Sequence, residues 1–519
     1  MKIFSFRALL IVFLLFFALS SSAVLFSQQR ADQSPEYKEF LSALRIEDLN
    51  ARVKELERIK AAYPNSTYLP AIENAIIRAK IGLATDVESI LQLQKTALQS
   101  AQGARRIFSY YIFCLDILEH KNLAQFDKKK VTQAVEQYAA EGLKLASDPE
   151  FLKAIAPDQQ EYLKSNTPTF YLASAMAYLN EDILEKSMKA LEDFKKNGGM
   201  PGGLYFYTLA SAYAKSSRNK EALDAYFEAA VENYRDSVSK ARELWEKVYG
   251  SSQGFESKLE ARRQEVPFHA EPFKPSAEWK GKTVLAELFT GSGCSPCVGT
   301  DLGLDGLIKA YGSMYVAVLE YHLSVPRPDP MMNMVTRKRA QFYGVNSAPT
   351  IFFDGENRGS GGGSRQMAEG KFKEYSAEVN ARVYALPEAK LKVSAKLKGD
   401  SVEVKFSADK EIPAADYNLA LVQKEEKYQG GNGIVFHKMV VRDFLTLDAA
   451  ALKSESAQFS IPKAEQDAEA RLSQHEKERG FTFKERHSKI DRQNLMVVFF
   501  LQDRDVKKVY NAAVAEVKK

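Results

Sequence analysis

The stretch Thr283-Val-Leu-Ala-Glu-Leu-Phe-Thr-Gly-Ser-Gly-Cys-Ser-Pro-Cys297 decides the fold of the central part of this chain. The mostly apolar run 283–289 predicts a buried strand. The residues 290–293 predict a tight turn, and the positions that follow predict the first turn of a helix. Cys294 and Cys297 therefore stand where a strand ends and a helix begins. Because free backbone N–H groups at a helix N-terminus favour negative charge, we expect Cys294 to have a lowered pKa and a usable thiolate population.

The spacing of these two cysteines predicts thiol–disulfide exchange. In that chemistry the accessible Cys294 sulfur attacks or leaves, and the more shielded Cys297 closes an intramolecular disulfide. A passive disulfide and half of a zinc site are the alternatives, although a zinc site would need further ligands that no second motif supplies. The third cysteine, Cys114, lies in the apolar helical stretch 110–117, where we expect a buried and inert thiol.

The length and composition of the chain indicate several globular domains. Its 519 residues are 45% hydrophobic, which is too much chain for one core and enough for three. The net charge of +5 comes from 72 basic and 67 acidic residues, and this near balance indicates no nucleic-acid partner. With only three cysteines, the fold does not depend on many structural disulfides, which leaves the close pair free for catalysis.

The first residues have the order of a secretory signal. Lys2 and Arg7 precede the apolar residues 8–19 and a run of small residues, so we predict a signal peptide over 1–27 and a periplasmic or secreted protein. Uncharged residues continue to Gln29, so an uncleaved anchor is the alternative. Only in that form would the protein be held on a membrane.

The residues 28–260 have the apolar periodicity of helices joined by short turns. One unit has large and small residues at a distinctive spacing, and these are Phe206, Leu209, Ala210, Tyr213, Ala222, Tyr226 and Ala229. Their spacing resembles a tetratricopeptide repeat, in which small residues let two antiparallel helices pack closely. One repeat cannot bury its own apolar face, so we expect a stacked array whose concave face could bind a protein partner. A helical bundle that only orients the next domain is the alternative.

The pattern changes three times after residue 260. Three prolines predict a linker over 261–281. Strands that alternate with helices then predict an α/β domain over 282–386. Beyond it, alternating apolar residues on both sides of a turn at 399–400 predict an antiparallel β-sandwich over 387–519.

Three separated features of the 282–386 region resemble the thioredoxin-like superfamily. They are the motif Cys294-Ser-Pro-Cys297 after a strand, the segment Val345-Asn-Ser-Ala-Pro-Thr-Ile351, and the strand end Phe353-Asp-Gly355 before a final helix. The pattern looks like that of exported bacterial members, some of which carry a β-sandwich tail. The resemblance implies an α/β fold of thioredoxin type.

The resemblance also implies roles for single residues. Pro349 would form a cis peptide bond with Ala348 and shape a groove in which the backbone of Ala348 pairs with a substrate chain. Ser295 and Pro296, between the cysteines, would contact the same substrate. Glu287 would accept the proton of the resolving thiol, although it lies one residue further from the first cysteine than this carboxylate usually does.

Two further groups of side chains have alternative interpretations. Soft ligands suit Cu(I), and four such side chains could lie near the cysteine pair, although methionines at helical spacing are more often core residues. They are His322, Met331, Met332 and Met334. His437 and Arg442 could mark a contact with the catalytic domain, but we favour polar residues at a strand edge. We predict no metal site and no diffusible cofactor.

Together these features predict an exported thiol–disulfide oxidoreductase. Its partners would be exported proteins with thiols or disulfides, and a redox partner protein that restores its oxidation level. Ser295 and Pro296 place no histidine between the cysteines to stabilise the thiolate, so we lean towards a reductase or isomerase. The rival interpretations are a non-catalytic scaffold that recruits a partner through its helical region, and a Cu(I)-handling protein.

Overall fold

The computed structural model describes residues 34–101, 103–325, 327–357, 361–413, 415–447 and 455–519. The predicted signal peptide, 1–27, lies outside these residues. The chain forms two compact units: the first reaches residue 229 and includes 239–250, and the second contains 230–238 and 251–519. Within the described ranges, no helix combines the length and the apolar character that crossing a membrane requires.

The first unit is built from helices, as the sequence predicts. Ser34, Asp48, Asp86 and Asp127 each accept a backbone hydrogen bond at a helix start, which satisfies N–H groups that a helix leaves free. The helices up to residue 250 are α1 (Pro35–Leu44), α2 (Leu49–Ala62), α3 (Leu69–Leu83), α4 (Val87–Ser100), α5 (Ala104–Leu118), α6 (Lys128–Ala146), α7 (Pro149–Lys153), α8 (Pro157–Asn166), α9 (Thr169–Asn180), α10 (Leu184–Lys196), α11 (Gly203–Lys215), α12 (Asn219–Val231) and α13 (Ser237–Tyr249).

Helices α11 and α12, which form the predicted repeat, contact each other. The hydroxyl oxygens of Ser211 and Tyr226 lie 2.8 Å apart between the two helices. The small residues of the repeat, Ala210 of α11 and Ala222 and Ala229 of α12, are fully buried.

The second unit carries one mixed sheet, which has eleven strands among the described residues. Their order across the sheet is β4-β3-β1-β2-β8-β7-β10-β11-β5-β6-β9. The strands are β1 (Val284–Thr290), β2 (Val316–His322), β3 (Thr350–Phe353), β4 (Glu356–Asn357), β5 (Leu391–Lys398), β6 (Ser401–Ala408), β7 (Ala415–Lys427), β8 (Phe436–Leu447), β9 (Ser456–Ser460), β10 (Leu495–Asp503) and β11 (Val509–Lys518). The helices that accompany them are α14 (Phe255–Gln264), α15 (Val298–Tyr311), α16 (Met334–Tyr343), α17 (Ala368–Val383) and α18 (Ile461–Arg479).

Strands and helices alternate around the cysteine motif, as predicted. β1 and β2 run parallel with α15 between them in the sequence, whereas β3 is antiparallel to β1 and β4 is antiparallel to β3. Ala286 and Leu288 of β1 belong to a core formed with α15 and α17. Leu285 and Phe289 belong to a second core with Ala340 of α16. Successive side chains of β1 thus point to opposite sides of the sheet.

We call the two sides of β1 and β2 the cysteine face and the arginine face. Parallel pairing of Leu288 with Glu320 and of Thr290 with His322 puts the members of each pair on the same side. The cysteine face consists of Ala286, Leu288, Thr290, Glu320 and His322. The arginine face consists of Leu285, Glu287, Phe289, Leu319 and Tyr321.

The residues 387–519 continue the same sheet. β8 pairs with β2 through Val440 and Glu320, and the β5–β6 hairpin forms around the predicted turn at 399–400. The rings of Phe406 in β6 and Phe499 in β10 have their centroids 5.1 Å apart, although two other strands separate β6 from β10. The sheet therefore folds back over itself in the tail.

The segment predicted as a linker, 261–281, packs on the second unit. Helix α14 runs into it and ends at Gln264. Further along, Phe273 stacks on Tyr311 of α15 with ring centroids 4.5 Å apart, and Trp279 also joins the core of the cysteine face. Its aromatic side chains hold this irregular segment against α15.

Candidate active site

The cysteine pair lies at the start of α15, as the sequence predicts. Cys294 and Cys297 form a disulfide with a sulfur–sulfur distance of 2.05 Å, and the 3-10 turn Ser295–Cys297 leads directly into the helix. The Cys294 N–H donates to the Gly291 carbonyl at 2.9 Å and closes the turn after β1. Cys114 in α5 is buried as predicted, and burial raises the pKa of its thiol, which keeps it inert.

The Cys294 sulfur is not accessible in this structure, contrary to the expectation from the sequence. Cys294 is 1% exposed and Cys297 is 0% exposed, whereas Ser295 and Pro296 are half-buried. The reason is that distant parts of the chain cover the motif. The covering segments are 323–325 with 327–330, 361–364 and 428–434.

The glycine-rich segment 361–364 packs on one side of the motif. The Gly363 N–H donates to the Pro296 carbonyl at 2.6 Å, and the Gly299 N–H donates to the Gly363 carbonyl at 2.8 Å. A Cβ on Gly299 would come 2.8 Å from the Ser364 carbonyl oxygen, so only glycine fits there.

The segment 428–434, which joins β7 to β8, covers the turn before Cys294, and we call it the covering loop. The Asn432 N–H donates to the Ser292 carbonyl at 3.0 Å, and the Asn432 side-chain nitrogen lies 3.5 Å from the carbonyl oxygen of Cys294. A Cβ on Gly430 would lie 2.9 Å from the Ser292 carbonyl oxygen. The covering loop therefore contacts the backbone on the N-terminal side of the motif.

The backbone at Ala348 borders the Cys294 sulfur. The Ala348–Pro349 peptide bond is cis, as the resemblance implies. The Ala348 carbonyl oxygen lies 3.7 Å from Cys294 Sγ. The Ala348 carbonyl is therefore a backbone polar group next to the Cys294 sulfur.

Glu287 does not lie beside the cysteines. It is on the arginine face, where its two carboxylate oxygens accept hydrogen bonds from Arg339 of α16, both at 2.8 Å. The hydroxyls of Tyr321 and Tyr343 donate to the same carboxylate at 3.0 and 2.6 Å. Because side chains of a strand alternate between faces, the one-residue departure from the usual spacing turns this carboxylate away from α15. The expected role of Glu287 as proton acceptor for Cys297 is thereby corrected to a structural role.

Two other carboxyl groups occupy the cysteine side. Asp301, one turn after Cys297 on α15, is buried and accepts a hydrogen bond from the Thr290 hydroxyl at 2.7 Å. Glu320 is 3% exposed, and within the described residues its Oε1 has no hydrogen-bond partner. Burial raises the pKa of Asp301 and of Glu320 well above their ordinary values, and repulsion from Asp305 raises both further. The surroundings therefore favour the protonated forms.

His322 connects the cysteine face to the turn before Cys294. Its Nδ1 lies 3.1 Å from Asp329 Oδ2, and the same oxygen accepts the Ser292 N–H at 2.6 Å. In the described part of the chain, the buried Nε2 of His322 has no partner. Asp329 thus holds both the imidazole and the turn, a role that its position in an Asp-Pro pair did not reveal.

His437 and Arg442 are buried rather than placed at a strand edge, so the interpretation we favoured is wrong. The His437 ring lies against that of His322 with centroids 5.2 Å apart, and burial lowers the pKa of His437 to about 3. Arg442 donates to Gln423 at 3.0 Å and to Glu426 at 2.8 Å, which are both in the tail. The contact with the region of the motif is therefore made by His437 alone of these two.

Two of the methionines considered for copper are buried, and one of them contacts a neighbouring hydroxyl. Met331 and Met332 are buried, and the Met332 sulfur accepts a hydrogen bond from Ser324 at 2.7 Å. Across the residues that the structure describes, no three side chains of the His, Cys, Asp or Glu type are grouped as a metal site would require.

Comparison of the chain with models of known protein families gives no match, and comparison with curated proteins gives none either. The site itself must therefore carry the assignment of function.

Proposed function

We propose that the protein is an exported thiol–disulfide oxidoreductase that exchanges disulfides with exported proteins. The observation that carries the proposal is the Cys294–Cys297 disulfide at the first turn of α15, with the Ala348 carbonyl oxygen 3.7 Å from Cys294 Sγ. Cys294 is the nucleophile and Cys297 is the resolving thiol. Exchange proceeds through a mixed disulfide between Cys294 and the substrate, which Cys297 then displaces.

The arrangement around the motif supports a thioredoxin-like domain. The strand order β4-β3-β1-β2, with β1 and β2 parallel and β3 and β4 antiparallel to their neighbours, agrees with that of the superfamily. For the tail we propose a β-sandwich formed by the folded-back sheet. Its support is the core that β5 and β6 share with β7 and β10.

The proposed direction of exchange is that of a reductase or isomerase, because Ser295 and Pro296 carry no charge that would stabilise a thiolate. The helical region is proposed to bind a protein partner, as stacked helical repeats do. The rival proposal is a scaffold in which the disulfide is passive. The two differ in whether Cys294 ever leaves its bond with Cys297.

A trapping experiment separates the enzyme from the scaffold. In a Cys114→Ala background, Cys297→Ala leaves Cys294 as the only thiol of the chain. The enzyme is expected to accumulate mixed disulfides with exported proteins and with a model peptide that contains a disulfide. Dithiothreitol should release all of these adducts. The matched control is Cys294→Ala in the same background, which should trap far less because Cys297 is the resolving thiol.

The full chain with both cysteines intact supplies the second measurement. We expect it to reach a redox equilibrium with glutathione and to catalyse thiol–disulfide exchange in a peptide. A protein that traps nothing and whose disulfide does not exchange would be a scaffold, and the proposed function would then be abandoned.

A further inference from the structure

Arg327 lies over the residue that precedes the proposed nucleophile. A Cβ on Gly293 would come 3.0 Å from Cβ and 3.5 Å from Cδ of Arg327, so the arginine stem occupies the space that glycine leaves. The Arg327 Nη1 lies 3.9 Å from the position that a Cβ on Gly431 would take. The guanidinium therefore sits between the cysteine motif and the covering loop, one residue away from Cys294.

This arginine is half-buried and has no charge partner. Throughout the described residues, it makes no ion pair and no side-chain hydrogen bond. The nearest acid along the chain, Asp329, is already engaged with His322 and with the Ser292 N–H. A partly buried cation without an anion costs free energy, which an anion forming beside it would recover.

Other charged groups near the motif do not offset this effect. The covering loop contributes the phenol of Tyr428 as its one titratable side chain, and the segment 361–364 contributes none. On the cysteine face, Asp301 and Glu320 are buried, and burial favours their neutral forms. Among the described residues 323–325 and 327–330, Arg327 is thus the cation that lies beside the motif.

We propose that Arg327 stabilises the thiolate of Cys294 in the reduced protein and thereby makes the disulfide a stronger oxidant than its Ser-Pro spacer alone would. This inference rests on the proposed function and refines its direction. A substrate thiolate attacks Cys294 Sγ, the sulfur–sulfur bond breaks, and Cys297 leaves with the electron pair and takes a proton. A second substrate thiolate then attacks the substrate sulfur of the mixed disulfide, and Cys294 leaves as a thiolate beside Arg327. The substrate dithiol is oxidised by two electrons and the Cys294–Cys297 disulfide is reduced by two.

The experiment compares Arg327→Gln, Arg327→Lys and Arg337→Gln with the parent protein, all as full chains with Cys114→Ala and Cys297→Ala. Arg337 is an exposed arginine of α16 and serves as the matched control. The pH dependence of Cys294 alkylation by iodoacetamide gives the thiol pKa. We expect Arg327→Gln to raise that pKa by about one unit, the lower end of the effect of a neighbouring opposite charge. Arg327→Lys should keep most of the parent value, and Arg337→Gln should keep all of it.

The same four proteins with Cys297 restored are equilibrated with glutathione. A tenfold shift of the equilibrium constant towards the disulfide is expected for Arg327→Gln, which corresponds to a potential about 30 mV lower. If Gln and Lys at position 327 raise the thiol pKa equally, packing rather than charge is responsible and the inference is overturned. If Cys294 reacts normally and its pKa is unchanged in Arg327→Gln, the inference also fails while the proposed function stands. If Cys294 is unreactive in the reduced parent protein at every pH, the proposed function fails.

Discussion

Glu287 and Glu320 show how differently the two faces of one sheet are used. Both are glutamates in the middle of neighbouring parallel strands, and they are 0% and 3% exposed. On the arginine face, Glu287 has both oxygens bound by Arg339, Tyr321 and Tyr343. On the cysteine face, Glu320 has an oxygen without a partner in the described residues.

We interpret the difference as a division of roles, in which the arginine face stabilises the fold and the cysteine face serves the proposed exchange. Buried polar groups normally have hydrogen-bond partners because an unsatisfied group costs free energy. Among the described residues, two buried atoms of the cysteine face have no hydrogen-bond partner, Glu320 Oε1 and His322 Nε2, whereas the Glu287 carboxylate of the arginine face has both oxygens bound. Every variant below tests whether this division between the faces holds.

The largest effect is expected from Arg339→Met on the arginine face. Removing the cation leaves the Glu287 carboxylate buried without its ion pair, so the free energy of unfolding should fall by about 3 to 5 kcal/mol. Trp245 lies in the first unit and Trp279 in the second, so a Trp245→Phe background lets Trp279 fluorescence report urea unfolding of the second unit.

Adding Glu287→Met to Arg339→Met supplies the control. Replacing a buried ion pair by apolar side chains is often close to neutral, so the double variant should recover much of the lost free energy. The division between faces breaks if Arg339→Met unfolds like the parent protein but changes the reactivity of Cys297.

Local sequence patterns were sufficient for the elements around the motif. The strand Val284–Thr290 lies where the sequence predicted it, and the hairpin of β5 and β6 forms around the predicted turn at 399–400. The face on which Glu287 lies could also be predicted. Glu287 is one residue further from the first cysteine than the usual carboxylate, and a shift of one residue along a strand places a side chain on the opposite face. The local pattern did not predict that Glu287 pairs with Arg339, which lies 52 residues later in the chain.

The cover over the disulfide could not be predicted from local patterns. Asn432 stands in Gly430-Gly-Asn-Gly433, which indicates a turn but not what the turn contacts. Its partner Ser292 is 140 residues earlier and contributes a backbone carbonyl, which leaves no mark on the sequence. The sequence around Cys294 therefore predicted an accessible sulfur, because nothing in it indicates the contact with the covering loop.

Glu320→Gln on the cysteine face should have a smaller effect of opposite sign. Burial in the folded protein raises the pKa of Glu320 above its value in the unfolded chain. The free energy of unfolding of the parent protein therefore falls as pH rises from the unfolded pKa towards the folded pKa. The amide never ionises. We therefore expect Glu320→Gln to be more stable than the parent protein at pH 8, by about 1 to 3 kcal/mol, the usual cost of a buried unsatisfied group.

At pH 4 most of the advantage of Glu320→Gln should disappear. The Glu320 carboxyl is then protonated in the folded protein and mostly protonated in the unfolded chain. Glu287→Gln is the matched comparison on the other face and should destabilise at both pH values, since it weakens the pair with Arg339. Equal responses of the two glutamates to pH would show that the faces are not different in the way their hydrogen bonds suggest.

The smallest effect is expected from Asn432→Ala, which concerns access to the cysteine face rather than its charges. The side-chain amide of Asn432 reaches the carbonyl oxygens of Gly291 and Cys294 at 3.4 and 3.5 Å, and its own oxygen accepts the Ile434 N–H at 3.0 Å. Alanine removes these contacts but leaves the backbone bond from residue 432 to Ser292, so the covering loop should open more often without being lost. One net hydrogen bond of about 1 kcal/mol corresponds to about fivefold faster reduction of the disulfide by glutathione, measured by alkylation and mass spectrometry.

Gln429→Ala changes an exposed residue of the same loop and should leave the rate of reduction unchanged. Opening that precedes exchange has a further consequence: a bulky protein thiol requires a wider opening than glutathione does. Asn432→Ala should therefore accelerate reduction by a thiol-bearing peptide at least as much as reduction by glutathione. For each reductant, the rates are compared between the parent protein, Asn432→Ala and Gln429→Ala. If the three proteins are reduced at the same rate by glutathione and also by the peptide, the covering loop does not control access to the disulfide.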